Sequence, residues 1–294
     1  MNKIKPYLKL MRPHQWVKNG FIIAPLFFTP EAVTFAHVIA TLMGVMVFCL
    51  TASAVYIVND YCDREQDRLH PSKRFRPLAS GAISPIAAFS LCGFLLILAF
   101  LLALRLPREF GVVAVTYLAI NLLYSLWLKH QSLLDVILVA ACYGLRVLAG
   151  AALIDVKASV WILSASFLLA LFIALAKRRD DVVQEMDYSH RPALKGYNKA
   201  FLDQAVAICL ALVIMCYLIY TTENDVMARA HTDKLYLTTP LVILGALRYL
   251  QLTMVEHKSG EPTMILLKDR FLLLCVMGWI VVYGLLIYSY KLTS

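Results

Sequence analysis

Asn59, Asp60, Asp63 and Asp67 stand together in one short stretch, NDYCDREQDRLHPSKRFRPLASG, inside a chain that otherwise reads as one apolar run after another. If the preceding helix continues past Val58, the three aspartates fall at i, i+3 and i+7 on one face. Asn59 joins them through its i+4 relation to Asp63. Carboxylates stacked in this way repel one another unless a cation lies between them. Magnesium suits the pattern, because it takes hard oxygen ligands and prefers one or two carboxylates completed by water and substrate phosphates. Basic residues follow at once: Arg68, His70, Lys73, Arg74 and Arg76. Arginine offers phosphate a planar fork and lysine a compact charge. Metal-binding carboxylates beside such cations make a diphosphate-handling arrangement. The plainer reading is a solvated helix end whose acids pair with Arg64, Arg68 and Lys73, with the cations serving as membrane anchors.

A second charged segment reads AKRRDDVVQEMDYSHRPALKGYN. Asp180, Gln184 and Asp187 share one helical face, and Asp181 and Glu185 share another. Lys177, Arg178 and Arg179 stand at the apolar boundary. Either acidic face is suited to a second metal or to a hydroxylated substrate; a solvated loop is the alternative. Arg146 lies deep in an apolar run, where a charge faces the protein interior and a partner. It either ties helices together or meets a ligand phosphate. Asp135, eleven residues earlier, lies on nearly the same face. Arg248, nearer a helix end, reads as a snorkelling anchor. Lys129, at a turn, either faces headgroups or points into the site.

The elements that must position these residues are membrane helices. The 294 residues are 61% hydrophobic and 16% charged, against about 45–50% and about 25% in soluble domains. Apolar runs near the ~20 residues that cross a bilayer make the chain a polytopic membrane protein. The net charge of +9 points to anionic lipid headgroups rather than nucleic acid. The basic start, MNKIKPYLKLMRPHQWVKN, lacks a small-residue cleavage pattern, so no cleavable signal is expected. The seven cysteines lie mostly in apolar runs and form no CxxC pair. Neither a disulfide framework nor a zinc site is expected.

An all-α bundle of nine transmembrane helices is expected, over 17–30, 35–58, 85–106, 110–128, 132–154, 158–176, 200–221, 235–255 and 271–290. Ser84-Pro85 reads as an N-cap with proline in the first turn. Ser132-Leu-Leu-Asp135 reads as a capping-box variant. With Lys18 and Arg105 at span ends counted with the adjoining loops, 20 of the 28 Lys and Arg residues fall on the N-terminal side of the membrane and 6 on the other, leaving Arg146 and Arg248 within helices. The positive-inside rule then puts the N-terminus in the cytoplasm. Residues 1–294 form one domain on this reading, with cytoplasmic active-site loops at about 59–84 and 177–199.

The pattern Asn59-Asp60-x-x-Asp63-x-x-x-Asp67, followed by Lys73-Arg74-x-Arg76-Pro77-Leu78, resembles the UbiA superfamily of intramembrane prenyltransferases. RPHQWVKN (Arg12–Asn19), DRLHPSKRFRPLASG (Asp67–Gly81), YSLWLKHQSLLDV (Tyr124–Val136) and LRVLAG (Leu145–Gly150) are similar to its decaprenyl-phosphate phosphoribosyltransferase branch. The resemblance implies a nine-helix bundle in the inner (plasma) membrane with its active site facing the cytoplasm. It also implies a Mg²⁺-dependent pentosyltransferase moving 5-phosphoribose from 5-phosphoribosyl 1-diphosphate (PRPP) to a polyprenyl phosphate. The product would feed lipid-linked pentofuranose (arabinose) donors of the cell envelope.

By that likeness Asn59, Asp60, Asp63 and Asp67 hold the metal. Lys18, Lys73, Arg74, Arg76, Lys129, Arg146, Lys177 and Arg178 meet phosphates, and Asp60, Asp63, Asp67 and Asp181 are the catalytic acids. The run Arg179-Asp180-Asp181 departs from the aromatic and single glutamate expected in the second motif. A homo-oligomer is compatible with the resemblance. Two other readings compete: an aromatic prenyltransferase of quinone biosynthesis, where the prenyl chain carries the diphosphate, and a transporter with intramembrane charges. The RPHQWVKN and HPSKRFRP segments favour the phosphoribosyl branch. Charge concentrated in two loops, not at a helix-broken midplane, disfavours a transporter.

Overall fold

The computed structural model describes residues 4–184, 192–256, 265 and 268–288. Every regular element among them is helical. Eight segments are long and apolar enough to cross a membrane: Phe35–Cys62 (α3), Pro85–Ala103 (α5), Arg108–Leu126 (α6), Leu134–Leu153 (α7), Val160–Val183 (α8), Lys199–Thr222 (α9), Leu235–Met254 (ending in α11, Thr239–Met254) and Arg270–Tyr288 (α12). Shorter helices are Lys5–Met11 (α1), Ala24–Phe28 (α2), Arg64–Leu69 (α4) and Asn224–Ala230 (α10). Residues 289 and 290 of the last expected span lie outside the described residues.

The first expected span, 17–30, is not one continuous α-helix. Pro13–Ile23 is a 3₁₀ helix that passes into α2. Such helices seldom exceed four residues, and this one follows from where its side chains must point. At three residues per turn Trp16, Asn19 and Ile22 line up on one edge. Trp16 Nε1 donates to Ser53 Oγ at 3.0 Å and Asn19 Nδ2 to Cys49 Sγ at 3.2 Å, while Ile22 is fully buried. In an α-helix each successive member of that row would swing by about 60°.

Two compact units emerge. One comprises Met1–Leu26, Thr34–Leu138 and Leu145–Lys157; the other comprises Phe27–Val33, Val139–Gly144 and Ala158–Ser294. In the first, α3 is the hub. Of its apolar window 61% is buried, against 22% for α5 and 17% for α6, which pack against it. The outer helices expose Phe94, Ile97, Phe100, Val112 and Val115, as lipid-facing surfaces do. Ala52, Ser53 and Ala54 are all buried on α3, where small side chains let neighbouring backbones approach. In the second unit α8 packs along α9, and α11 packs against α9 and α12.

Gly150 on α7 is a point of closest approach, because a Cβ there would collide with the Ile22 carbonyl oxygen. Backbone cannot yield as a side-chain tip does. Gly150→Ala is therefore expected to cost about 1–3 kcal/mol, the range for overpacking, read as a lowered thermal midpoint of the detergent-solubilised protein.

Helix starts follow local chemistry at some ends and not at others. Ser84 Oγ accepts from the Ala87 N–H at 3.3 Å with Pro85 in the first turn, as its sequence indicates. The helix start expected from Ser132–Asp135 is shifted by one residue. α7 begins at Leu134 after Leu133 at φ 69°, with no side-chain cap bond. The Asp135 and Val136 N–H groups reach the Gln131 and Leu133 carbonyls at 3.0 and 3.2 Å. The turn's own carbonyls satisfy the donors that a cap would have served.

Candidate active site

Asn59 and Asp60 lie on the last turn of α3, which runs past Val58 to Cys62. Asp63 follows at φ −87°, ψ 0°, and α4 carries Asp67. The hydrogen-bond run hardly breaks: the Asp63 N–H reaches the Asn59 carbonyl at 3.0 Å and the Asp67 N–H the Asp63 carbonyl at 2.8 Å. The small change of direction at Asp63 nevertheless divides the carboxylates. Arg76 Nη1 donates to both Asp60 Oδ1, at 3.1 Å, and Asp67 Oδ2, at 2.7 Å. Asp63 instead accepts from Asn59 Nδ2 at 3.1 Å and pairs with Lys129, whose Nζ also reaches Asn59 Oδ1 at 3.2 Å. Arg12 pairs with Asp60 as well.

Of the cations in the plainer reading, Arg64 and Arg68 turn to Glu65, each at 2.8 Å, and not to the aspartates. The basic loop has its own scaffold. His70 Nδ1 accepts the Ser72 and Lys73 N–H groups at 3.2 and 3.3 Å, and Arg68 Nε holds the Ala79 carbonyl at 3.2 Å. Gly81 takes φ 76°, a conformation open to glycine, where the loop turns toward α5. Lys73 is half-buried; Arg74 is exposed, its guanidinium 4.9 Å from the centre of the Phe75 ring. Lys18 is half-buried on the 3₁₀ helix.

Arg146 is 5% exposed. Its Nε donates to Asn19 Oδ1 at 2.9 Å and its Nη2 to the Tyr117 hydroxyl at 3.0 Å. It thus ties α7 to the 3₁₀ helix and to α6, the first of the two roles its sequence position left open. Arg146→Met strands two buried polar partners, at about 1–3 kcal/mol each. A clear drop in thermal midpoint is the expected result in a detergent melt.

In the second unit Arg178 and Asp181 pair at 3.4 Å, one helical turn apart, and both are buried. Arg179 has a different task. Its Nε reaches Asp203 Oδ1 at 2.5 Å and its Nη1 the Thr253 carbonyl at 2.9 Å, so it ties α8 to α9 and α11. Lys177 is half-buried and Asp180 buried beside them. Glu185 and Asp187 lie outside the described residues. Arg248, expected as a snorkelling anchor, is half-buried and binds Asp269 at 2.6 Å, Gln251 at 2.6 Å and Glu256 at 3.0 Å, so acids near both ends of the 256–270 connection answer its charge.

Sequence reasoning missed Arg12, Asn19, Tyr117 and Asp203. Two of them sit in the RPHQWVKN stretch, but an isolated arginine before a membrane span looks like any headgroup anchor. Nothing local marks Tyr117 or Asp203.

The donor set fits magnesium. Carboxylate oxygens of Asp60 and Asp67 converge on a single guanidinium nitrogen, and Asn59 and Asp63 add oxygens one turn away. Among the described residues no three His, Cys, Asp or Glu side chains close a cage of their own. That is the habit of Mg²⁺, which leaves much of its shell to water and substrate phosphates.

The sequence model of the UbiA prenyltransferase family matches residues 20–274. The chain is 31% identical to a decaprenyl-phosphate phosphoribosyltransferase of Mycolicibacterium smegmatis, over 98% of this chain and 94% of that one. It is 30% identical to the protein of that name in Mycobacterium tuberculosis, over 96% and 94%. Its fold is similar to that of a UbiA homologue from Archaeoglobus fulgidus solved with DMAPP and Mg²⁺, with a TM-score of 0.71 and 22% identity over 96% and 99% of the two chains. Eight apolar helices, the paired aspartates of α3 and α4 and these matches lead to one conclusion: the chain is a multi-pass membrane enzyme that belongs to the UbiA prenyltransferase family.

Proposed function

We propose that this enzyme transfers 5-phosphoribose from PRPP to a polyprenyl phosphate and releases diphosphate. The observation that carries the reading is the near full-length similarity to proteins named decaprenyl-phosphate phosphoribosyltransferase. The cations gathered at the α3–α4 corner suit the chemistry. The bond broken joins the ribose anomeric carbon to the diphosphate oxygen; the bond formed joins that carbon to an oxygen of the lipid phosphate. A monoalkyl phosphate has a second pKa of about 6 and is largely dianionic near neutrality, so no strong protein base is needed.

The difficulty is the departing charge. Arg76, Lys129, Lys73, Arg74 and Lys18 are the chain's means of stabilising it, and cations already in contact with the diphosphate act without reorganising during the step. Asn59, Asp60, Asp63 and Asp67 would hold Mg²⁺, which when bound neutralises the diphosphate further. Asp181, with Lys177 and Arg178, is assigned to the ribose 5-phosphate end and to the electron-poor carbon. Arg146 braces the helices that carry the site through Asn19 and Tyr117. The positive-inside distribution supports a cytoplasmic active site at the plasma membrane, where a water-soluble donor is available. Its product is suited to lipid-linked pentofuranose donors.

Incubation of the purified protein with radiolabelled PRPP and polyprenyl phosphate tests the reading. Label in the lipid phase is expected. No lipid-linked label, together with prenylation of 4-hydroxybenzoate from a prenyl diphosphate, would overturn it.

A further inference from the structure

Asp60, Asp63 and Asp67 are met by as many cations of the same unit: Arg12 and Arg76 on Asp60, Arg76 on Asp67, and Lys129 on Asp63. The side chains of Asp60 and Asp67 are 2% and 4% exposed, that of Lys129 12% and that of Arg12 19%. At such burial, charges interact more strongly than in water, and stripping one of its partner is costly. Within this set the three carboxylates and the three cations balance. A divalent metal arriving alone must displace three cations held by packing and leave them facing it without counter-charge.

A diphosphate changes that balance. Its oxygens accept from guanidinium and ammonium groups as the carboxylates turn to the metal, so every charge keeps a partner throughout. Arg12 is built for such an exchange. Its backbone is left-handed at φ 52°, at the junction of α1 and the 3₁₀ helix, and its guanidinium sits 5.1 Å from the centre of the Tyr56 ring. The ring supports the cation whichever anion it binds.

The geometry points to Arg12, Arg76 and Lys129 as exchangeable counter-ions that make divalent metal and diphosphate bind as one unit, with Arg12 a phosphate-binding cation of the site. This rests on the diphosphate-handling reading above and specifies how that site is controlled. Metal without diphosphate is excluded by the chain's own side chains. Diphosphate without metal meets the carboxylates.

Mn²⁺ as probe tests the coupling, with protein-bound metal counted by electron paramagnetic resonance on the purified full-length protein in detergent. Titrations are compared at matched free Mn²⁺ with and without inorganic pyrophosphate. Retention at least tenfold tighter with pyrophosphate is expected. Arg12→Gln removes one competitor, so it should bind Mn²⁺ alone several-fold more tightly and lose most of the gain from pyrophosphate. Lys129→Gln should shift in the same direction and serves if Arg12→Gln fails to give a monodisperse protein. Equal Mn²⁺ affinity with and without pyrophosphate would overturn the coupling while leaving a diphosphate enzyme intact, as would variants that change neither value. Failure of the wild-type protein to hold Mn²⁺ under either condition would remove the diphosphate reading itself.

Discussion

Asp60→Asn is expected to lower lipid-linked product formation by about 10²–10³-fold, the scale set by removing a group that places charge at a transition state. Asparagine keeps the shape and removes the charge. In the structure Asp60 is buried on the last turn of α3 and is the one carboxylate that meets both Arg12 and Arg76. Losing its charge takes a carboxylate from the proposed metal site, leaves Arg12 without its acid and leaves Arg76 with Asp67 alone. Asp63→Asn should fall in the same range, since Asp63 orients Lys129 and Asn59. The loss belongs in kcat/KM for PRPP, while gel filtration of the detergent-solubilised variants stays monodisperse. Near-normal turnover in both variants would mean that the acidic corner is a structural helix end and nothing more.

Chelation should have a comparably large effect. Treating the purified enzyme with EDTA is expected to reduce labelled lipid to background, and added Mg²⁺ to restore it. The reason is the arrangement of donors, which offers convergent carboxylates but, among the described residues, no closed cage. A metal held so openly exchanges, and it is completed by the substrate's oxygens. Ca²⁺ should restore activity poorly, because it is larger and seeks six to eight oxygens. Full activity in EDTA would place all charge neutralisation on the arginines and lysines.

Much of the fold was legible because the bilayer makes composition speak. Runs of Leu, Ile, Val and Phe near 20 residues have few alternatives to a spanning helix, and eight of the nine expected spans have helical counterparts. The ninth went astray where polar residues interrupt the run. Lys18, Asn19 and Gly20 leave no clear apolar period, and the choice of a 3₁₀ helix was made by Ser53, Cys49 and the surface around Gly150. The start of α7 moved by one residue for a related reason, since carbonyls of the turn serve the Asp135 and Val136 N–H groups. Arg248 illustrates the limit for charges: which acids answer an arginine near a helix end depends on residues that lie beyond its own helix.

The sequence by itself determined the class of protein, the helical spacing of Asn59, Asp60, Asp63 and Asp67 and the basic run behind them, because these are local and follow from the period of a helix. The tertiary structure alone decided which cation answers which acid. Arg12 reaches Asp60 across 48 positions, Lys129 reaches Asp63 across 66, and Arg146 finds Asn19 across 127. Those pairings depend on how helices distant in the chain pack, and on the cost of leaving any buried charge unanswered, which no local pattern records.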